Sequence, residues 1–212
     1  MFVSVTINAM TGQGTAATRR RLLEAGQQEV YLHGFHGASL GAILLRAQAT
    51  KGAFFHYFAS KNAFGYALVD EILAQMIATQ WVTPLQSSDD RLETIATEFE
   101  RGIELLRAQQ PILGCPLNNL AQEMNPLDAG FRDRTTRVFQ TWQQAYRSAL
   151  ARAQQHGTVR AALDPGDAAY LLVAQIEGTL SLARNTQDPA TLTTGARALR
   201  SYLASIRTAE YR

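Results

Sequence analysis

Ser39 to Lys61 reads S-L-G-A-I-L-L-R-A-Q-A-T-K-G-A-F-F-H-Y-F-A-S-K, and the fold turns on it. Leu40, Ile43 and Leu44 form one apolar helical stripe, which breaks at Ala47-Gln48-Ala49. Thr50 stands where it can cap a second short helix carrying Lys51, Phe54, Phe55, His56 and Tyr57. Ser60 is placed to cap a third helix that starts at Lys61. Two short helices across a tight turn, the second dense in cations and aromatics, predict a helix-turn-helix whose second helix can enter a major groove.

Charge supports that reading. The 212 residues carry a net charge of only +2, but it is unevenly spread. Residues 1–61 hold six cations and two anions, and the remainder holds fourteen cations and sixteen anions. The two lysines of the chain, Lys51 and Lys61, open two consecutive predicted helices, and His33, His36 and His56 lie in the same part. One end thus suits a polyanion, although a solvated basic face has the same composition.

Outward from the motif, the pattern is of helices and breakers, without convincing strands: an all-α chain. A first helix is expected from about Thr18, which can serve as its N-cap, to His33, ended by Gly34. After the motif, Phe64, Leu68, Ile72, Met76 and Trp81 recur at helical spacing on a long helix from Lys61 to about Val82, stopped at Pro84. Further helices begin at Ser88-Asp89-Asp90, at Gly114-Cys115-Pro116 and at about Leu127; Asp164-Pro165 and Asp188-Pro189 each read as an N-cap followed by proline at the first helical position. On the last two helices, Ala169, Val173, Ile176, Leu180 and Ala183, and then Leu192, Ala196, Leu199, Leu203 and Ile206, step by four and three. Such stripes favour aligned helix packing, either inside one chain or against a second copy.

The hydrophobic content of 46% and charged content of 18% describe a globular chain, and no apolar run approaches the ~20 residues of a membrane span. No signal peptide is read at Met1 to Ile7, and Met10 is an alternative start. One cysteine excludes an intrachain disulfide and fits a reducing cytoplasm; four scattered histidines give no zinc pattern. There is no nucleophile elbow, H-E-x-x-H or phosphate loop, so neither an enzyme nor a cofactor is expected.

The order and spacing of S-L, T-K-G-A-F-F-H-Y-F and S-K, after a helix ending H-G-F, resemble the DNA-binding domain of the TetR family of bacterial repressors. The resemblance implies an N-terminal three-helix helix-turn-helix domain joined by a long helix to a C-terminal helical ligand-binding and dimerisation domain. It further implies a homodimer formed through the last two long helices, a palindromic double-stranded DNA operator, and release by a small-molecule effector. The expected division is a flexible arm at 1–17, the DNA-binding domain at 18–62 and the regulatory domain at 63–212. Gly114 to Met124, G-C-P-L-N-N-L-A-Q-E-M, and I-E-G at Ile176 to Gly178 resemble one subgroup of the family.

The expected DNA-binding residues are Ser39, Lys51, Gly52, Ala53, His56, Tyr57 and Lys61, with His36 and Arg46 as weaker candidates. Lys51 is placed for a phosphate or guanine edge, Gly52 for close backbone approach, and His56 and Tyr57 for phosphate oxygens or base edges. Lys61 and the helix it opens are expected to hold a phosphate. The family usually has glycine at Gln48, a hydroxyl at Ala53 and tyrosine at Phe55, so two polar contacts are missing here. These departures favour, as the alternative, a helical small-molecule or protein-binding module with a degenerate reading head. The expected effector pocket comprises Met76, Phe99, Cys115, Asn118, Gln122, Phe139, Trp142 and Gln175, and the dimer interface Val173, Ile176, Leu180, Leu192, Leu199 and Leu203. Glu177 is either a pocket group or a satisfied structural acid. Cys115 reads as an N-cap whose thiolate a helix dipole would favour, or as an inert buried thiol.

Overall fold

The computed structural model describes residues 4–211, with side chains from Ala16 to Glu210, and is built from helices, without a named strand among the described residues. The start of the arm expected over 1–17 lies outside the described residues. Helix α1 spans Ser4–Gly37, so Thr18 lies inside it and does not cap it. Gly34 breaks its path at φ 76°, a left-handed conformation that suits glycine, and the Ala38 amide donates back to the Gly34 carbonyl. Helices α2 (Leu40–Ala47) and α3 (Lys51–Tyr57) follow.

A continuous helical segment comes next: α4 (Lys61–Ala67), π-helical turns at Leu68–Leu73, α5 (Ala74–Ile77), π-helical turns at Ala78–Val82 and a 3₁₀ turn at Thr83–Leu85. The wide turns correct the sequence periodicity. Each residue of a π-turn bonds five positions on, so the buried stripe moves from Leu68 to Leu73, Ile77, Trp81 and Leu85. Ile72 is left half-buried, and Met76, an expected pocket residue, is exposed.

The remaining helices are α6 (Arg91–Arg107), α7 (Pro116–Met124), α8 (Ala129–Gln155), α9 (Pro165–Thr186) and α10 (Pro189–Ile206). Asp90, Asp164 and Asp188 cap α6, α9 and α10 through their side chains, as expected.

The chain packs as two compact units. The first runs through Leu73 and takes in Asn119–Arg134; the second comprises Ala74–Asn118 and the chain from Thr135 onward. This division differs from the one expected at 62/63, because sixteen residues distant in sequence complete the first unit. Its core joins Phe54, Phe58 and Phe64, with ring centroids 5.0–5.3 Å apart, to Leu22, Leu23 and Phe35. Gly26 is required there: a Cβ would lie 2.1 Å from the Phe64 ring.

The second unit is centred on Trp142, stacked on Trp81 at 5.0 Å, with Phe99 and Tyr146 against them. Helices α9 and α10 pack closely where Gly195 meets Thr179. The expected dimer residues lie inside this packing: Val173, Ile176, Leu180, Leu192, Leu199 and Leu203 are each at most 6% exposed within one chain. A heptad stripe shows which face is buried and not which partner buries it, and here the partner is intramolecular.

Candidate DNA-reading head and regulatory site

The reading head is set by three side-chain caps. Ser39 accepts from the Ala42 amide at 3.3 Å, Thr50 from Ala53 at 3.1 Å and Ser60 from Ala63 at 3.0 Å. Each fixes the start of one short helix and satisfies an otherwise orphaned donor. The turn between α2 and α3 places Gln48 at φ 50°, the left-handed region where a side chain costs about 1 kcal/mol. The Arg21 guanidinium offsets part of this by donating to the Ala47 carbonyl at 3.1 Å. Buried Glu29 accepts from the Ser39 amide at 3.2 Å and fixes the entry to α2.

These constraints turn one face of α3 outward. Lys51, Gly52, Phe55 and His56 are exposed, and Ala53 and Tyr57 half-exposed, while Phe54 and Phe58 hold the helix to the core. Nothing crowds Gly52, since a Cβ there would meet only the Thr50 hydroxyl, at 3.8 Å. Ser39 is a cap, and its side chain is already engaged.

Lys61 departs from the expectation. Its ammonium turns back to donate to the carbonyls of His36 (3.2 Å) and Ala38 (2.9 Å) and sits 5.3 Å over the Phe35 ring. In the unbound chain it closes the end of α1, where cations are favoured. The weaker candidates are likewise occupied: Arg46 donates to Gln28, and His36 contacts Glu123.

Glu123 and Asp128 are residues that no local pattern could single out. Glu123 accepts from the amides of Phe35 (2.7 Å) and His36 (2.8 Å). Its partial burial opposes ionisation, but these bonds and the His36 ring outweigh it and hold the carboxyl below the usual range. Asp128 accepts from the Tyr66 hydroxyl, the Asn62 amide and the Phe131 amide, which lowers its pKa, chiefly through Tyr66. The partners of both on α1 and α4 lie some sixty to ninety residues away in the chain.

In the second unit the expected pocket residues separate. Phe99 and Trp142 belong to the buried ring cluster with Trp81 and Tyr146, and Phe139 is half-buried. Neither the Trp142 ring nitrogen nor the Tyr146 hydroxyl has a hydrogen-bond partner, and burial raises the tyrosine pKa. Gln175 donates to the Gly195 carbonyl at 3.3 Å and so bridges α9 to α10. Gln122 falls in the first unit and is exposed, because Leu117, Leu120, Ala121 and Met124 take the buried side of α7.

Cys115 and Asn118 lie together against Glu177. The amides of Leu117 and Asn118 point to the Cys115 sulfur, the expected N-cap arrangement. The expected pKa direction is reversed. Cys115 is 7% exposed, and burial, reinforced by Glu177, pushes its thiol well up despite those amides. The thiol is the inert, protonated form at neutral pH. A separate open cleft of about 520 Å³ lies between α6 and α10, lined by Leu92, Glu93, Arg200 and Arg207 among others, and shares no residue with the expected pocket.

Among the described residues, no helix is long and apolar enough to cross a membrane. Residues 22–65 match the family described as bacterial regulatory proteins, tetR family, and residues 89–199 the tetracyclin repressor-like C-terminal domain. The chain is 31% identical over 179 residues to an uncharacterized HTH-type transcriptional regulator from the lacX 3' region of Lactococcus lactis subsp. lactis, covering 81% of this chain and 85% of that one. It is 28% identical over 162 residues to the HTH-type transcriptional repressor DhaR of Mycobacterium sp. strain GP1, covering 76% and 80%. Among solved structures, a TetR transcriptional regulator from Chloroflexus aurantiacus superposes with a TM-score of 0.82 at 22% identity, covering 93% of this chain and 100% of that one.

Proposed function

This chain belongs to the TetR family, and from that premise we propose that it is a ligand-responsive transcriptional repressor, binding a palindromic operator as a homodimer. The observation that carries this reading is the outward face of α3. Three caps and an aromatic core fix a seven-residue helix, and they leave Lys51, Gly52 and His56 facing solvent. A fixed helix with a cation and a side-chain-free backbone at its start can enter a major groove and contact phosphate and base edges.

The second copy docks on the outer faces of α9 and α10. Tyr170, Leu171 and Leu182 are 67%, 46% and 58% exposed, and Gly178, between them on the same arc of α9, faces open space, where an added Cβ would meet nothing within 4 Å. Exposed apolar residues grouped on one helical arc suit a partner surface, and a small residue at the centre permits close helix approach. The effector binds within the second unit and biases the helical segment from Lys61 to Leu85, which runs through both units, so that two heads no longer match two half-sites. A DNase I footprint on DNA upstream of the chain's own gene tests the reading. Two protected half-sites about one helical turn apart support it, and uniform cleavage at saturating protein contradicts it.

A further inference from the structure

Glu177 has no part in reading DNA and no charged partner. It lies in the middle of α9, 8% exposed, and neither carboxyl oxygen has a hydrogen-bond partner. The groups that face it are the Cys115 thiol and the Asn118 carboxamide, whose Nδ2 already donates to the Ser181 hydroxyl at 3.1 Å. Among the described residues, no lysine, arginine or histidine is paired with it. Burial pushes its pKa up to about 7, so the charged form is within reach at neutral pH.

A buried acid with no charged partner, faced only by a thiol and an already engaged carboxamide, is a cost that a hydrophobic residue of similar size would avoid. Such costs are found where a site is built for function. The chemistry of the arrangement selects what would relieve it. An ionised carboxyl only accepts hydrogen bonds, so the missing group must donate. An apolar molecule would leave both oxygens orphaned, and a carboxylate or phosphate would add repulsion. A cationic nitrogen supplies donors and opposite charge together.

We propose that Glu177, flanked by Asn118 and Cys115, anchors a site in the second unit for a small organic cation, an amine or an amidine. This rests on the reading that the second unit carries the effector site, and it names the effector's class.

The test uses the full-length protein and three matched sets: propylammonium with 1-propanol and propionate, butylammonium with 1-butanol and butyrate, and benzamidine with benzamide and benzoate. Melting temperature is followed for the native sequence, Glu177→Gln and Glu177→Leu. The expected result is that at least one cation raises the native melting temperature by several degrees at millimolar concentration. Its neutral and anionic partners do not, and both variants lose the shift. Without any ligand, Glu177→Leu melts about 2–4 °C higher than the native chain for each kcal/mol of relieved burial. The proposal is overturned if no cation shifts melting, if neutral or anionic partners match the cations, or if both variants melt lower, which would make Glu177 a structural acid. The same cation is then titrated against the protein–operator complex. A Glu177-dependent melting shift without DNA release keeps the cation site and removes its effector role.

Discussion

The Glu123 carboxylate lies 2.8 Å from the amide nitrogen of His36 and 2.7 Å from that residue's ring Nδ1. A residue of α7 thereby completes the end of α1, next to the helix-turn-helix. The pKa of Glu123 is lowered in the folded state, so its stabilisation is present above the ordinary carboxylate pKa and is lost as pH falls through the folded value. Glu123→Gln is expected to cost on the order of 1.5–3 kcal/mol at pH 7 and to flatten the acid side of the stability profile. Urea unfolding between pH 3 and 7 measures both, and an unchanged acid limb in the variant would refute the assignment.

Gln48 tests whether the turn is strained. Gln48→Gly removes a side chain from a left-handed backbone at φ 50° and is expected to stabilise the fold by about 1 kcal/mol. Thermal unfolding reads this directly, and a lower melting temperature would show that the Gln48 side chain contributes more than its backbone costs.

Gly52 separates folding from recognition. A Cβ there meets no crowding in the unbound chain, so Gly52→Val is expected to leave melting within a few degrees of native. The same added bulk should weaken operator binding by roughly tenfold or more if the backbone of α3 closes on DNA, since a penalty of about 1.4 kcal/mol is already tenfold. Equal affinities for the two proteins would place α3 away from the groove.

The two faces of α9 make opposite predictions. Leu180 is 6% exposed inside the chain, and Leu180→Ala is expected to cost about 2–5 kcal/mol of stability. Leu182 is 58% exposed, and Leu182→Arg should shift the protein to a monomer while the chain stays folded. Light scattering with circular dichroism distinguishes them. A Leu182→Arg dimer as tight as native would move the interface elsewhere.

Local rules made the reading head legible. Ser39, Thr50 and Ser60 act through bonds three residues away, so their capping could be read from a short string, as could that of Asp90, Asp164 and Asp188. What failed had a physical cause each time. The π-turns between Leu68 and Val82 changed the helical phase and put Met76 outside. The stripes of α9 and α10 marked burial without identifying the partner. Lys61 has the charge for a phosphate, but the end of α1 reaches it first. For Cys115 the helix N-terminus is legible in the Gly-Cys-Pro string, and burial beside Glu177 reverses its effect on the thiol.

Cys115 should accordingly react slowly. With the thiol buried and its pKa raised, labelling by a disulfide reagent at pH 7 is expected to be slower in the native protein than in the unfolded chain by an order of magnitude or more. Labelling at comparable rates in the two states would restore an accessible, activated thiol.

The most direct measurement is a fluorescence-anisotropy titration of the native protein and Lys51→Ala against upstream DNA, with a scrambled duplex as control, across a salt series. The native protein should prefer the upstream duplex by at least ~10³-fold, with affinity falling steeply as salt rises. Lys51→Ala should bind more weakly, with a salt slope shallower by about one for each phosphate that Lys51 neutralises. Equal binding to both duplexes, unchanged by Lys51→Ala, would contradict the claim that α3 reads an operator.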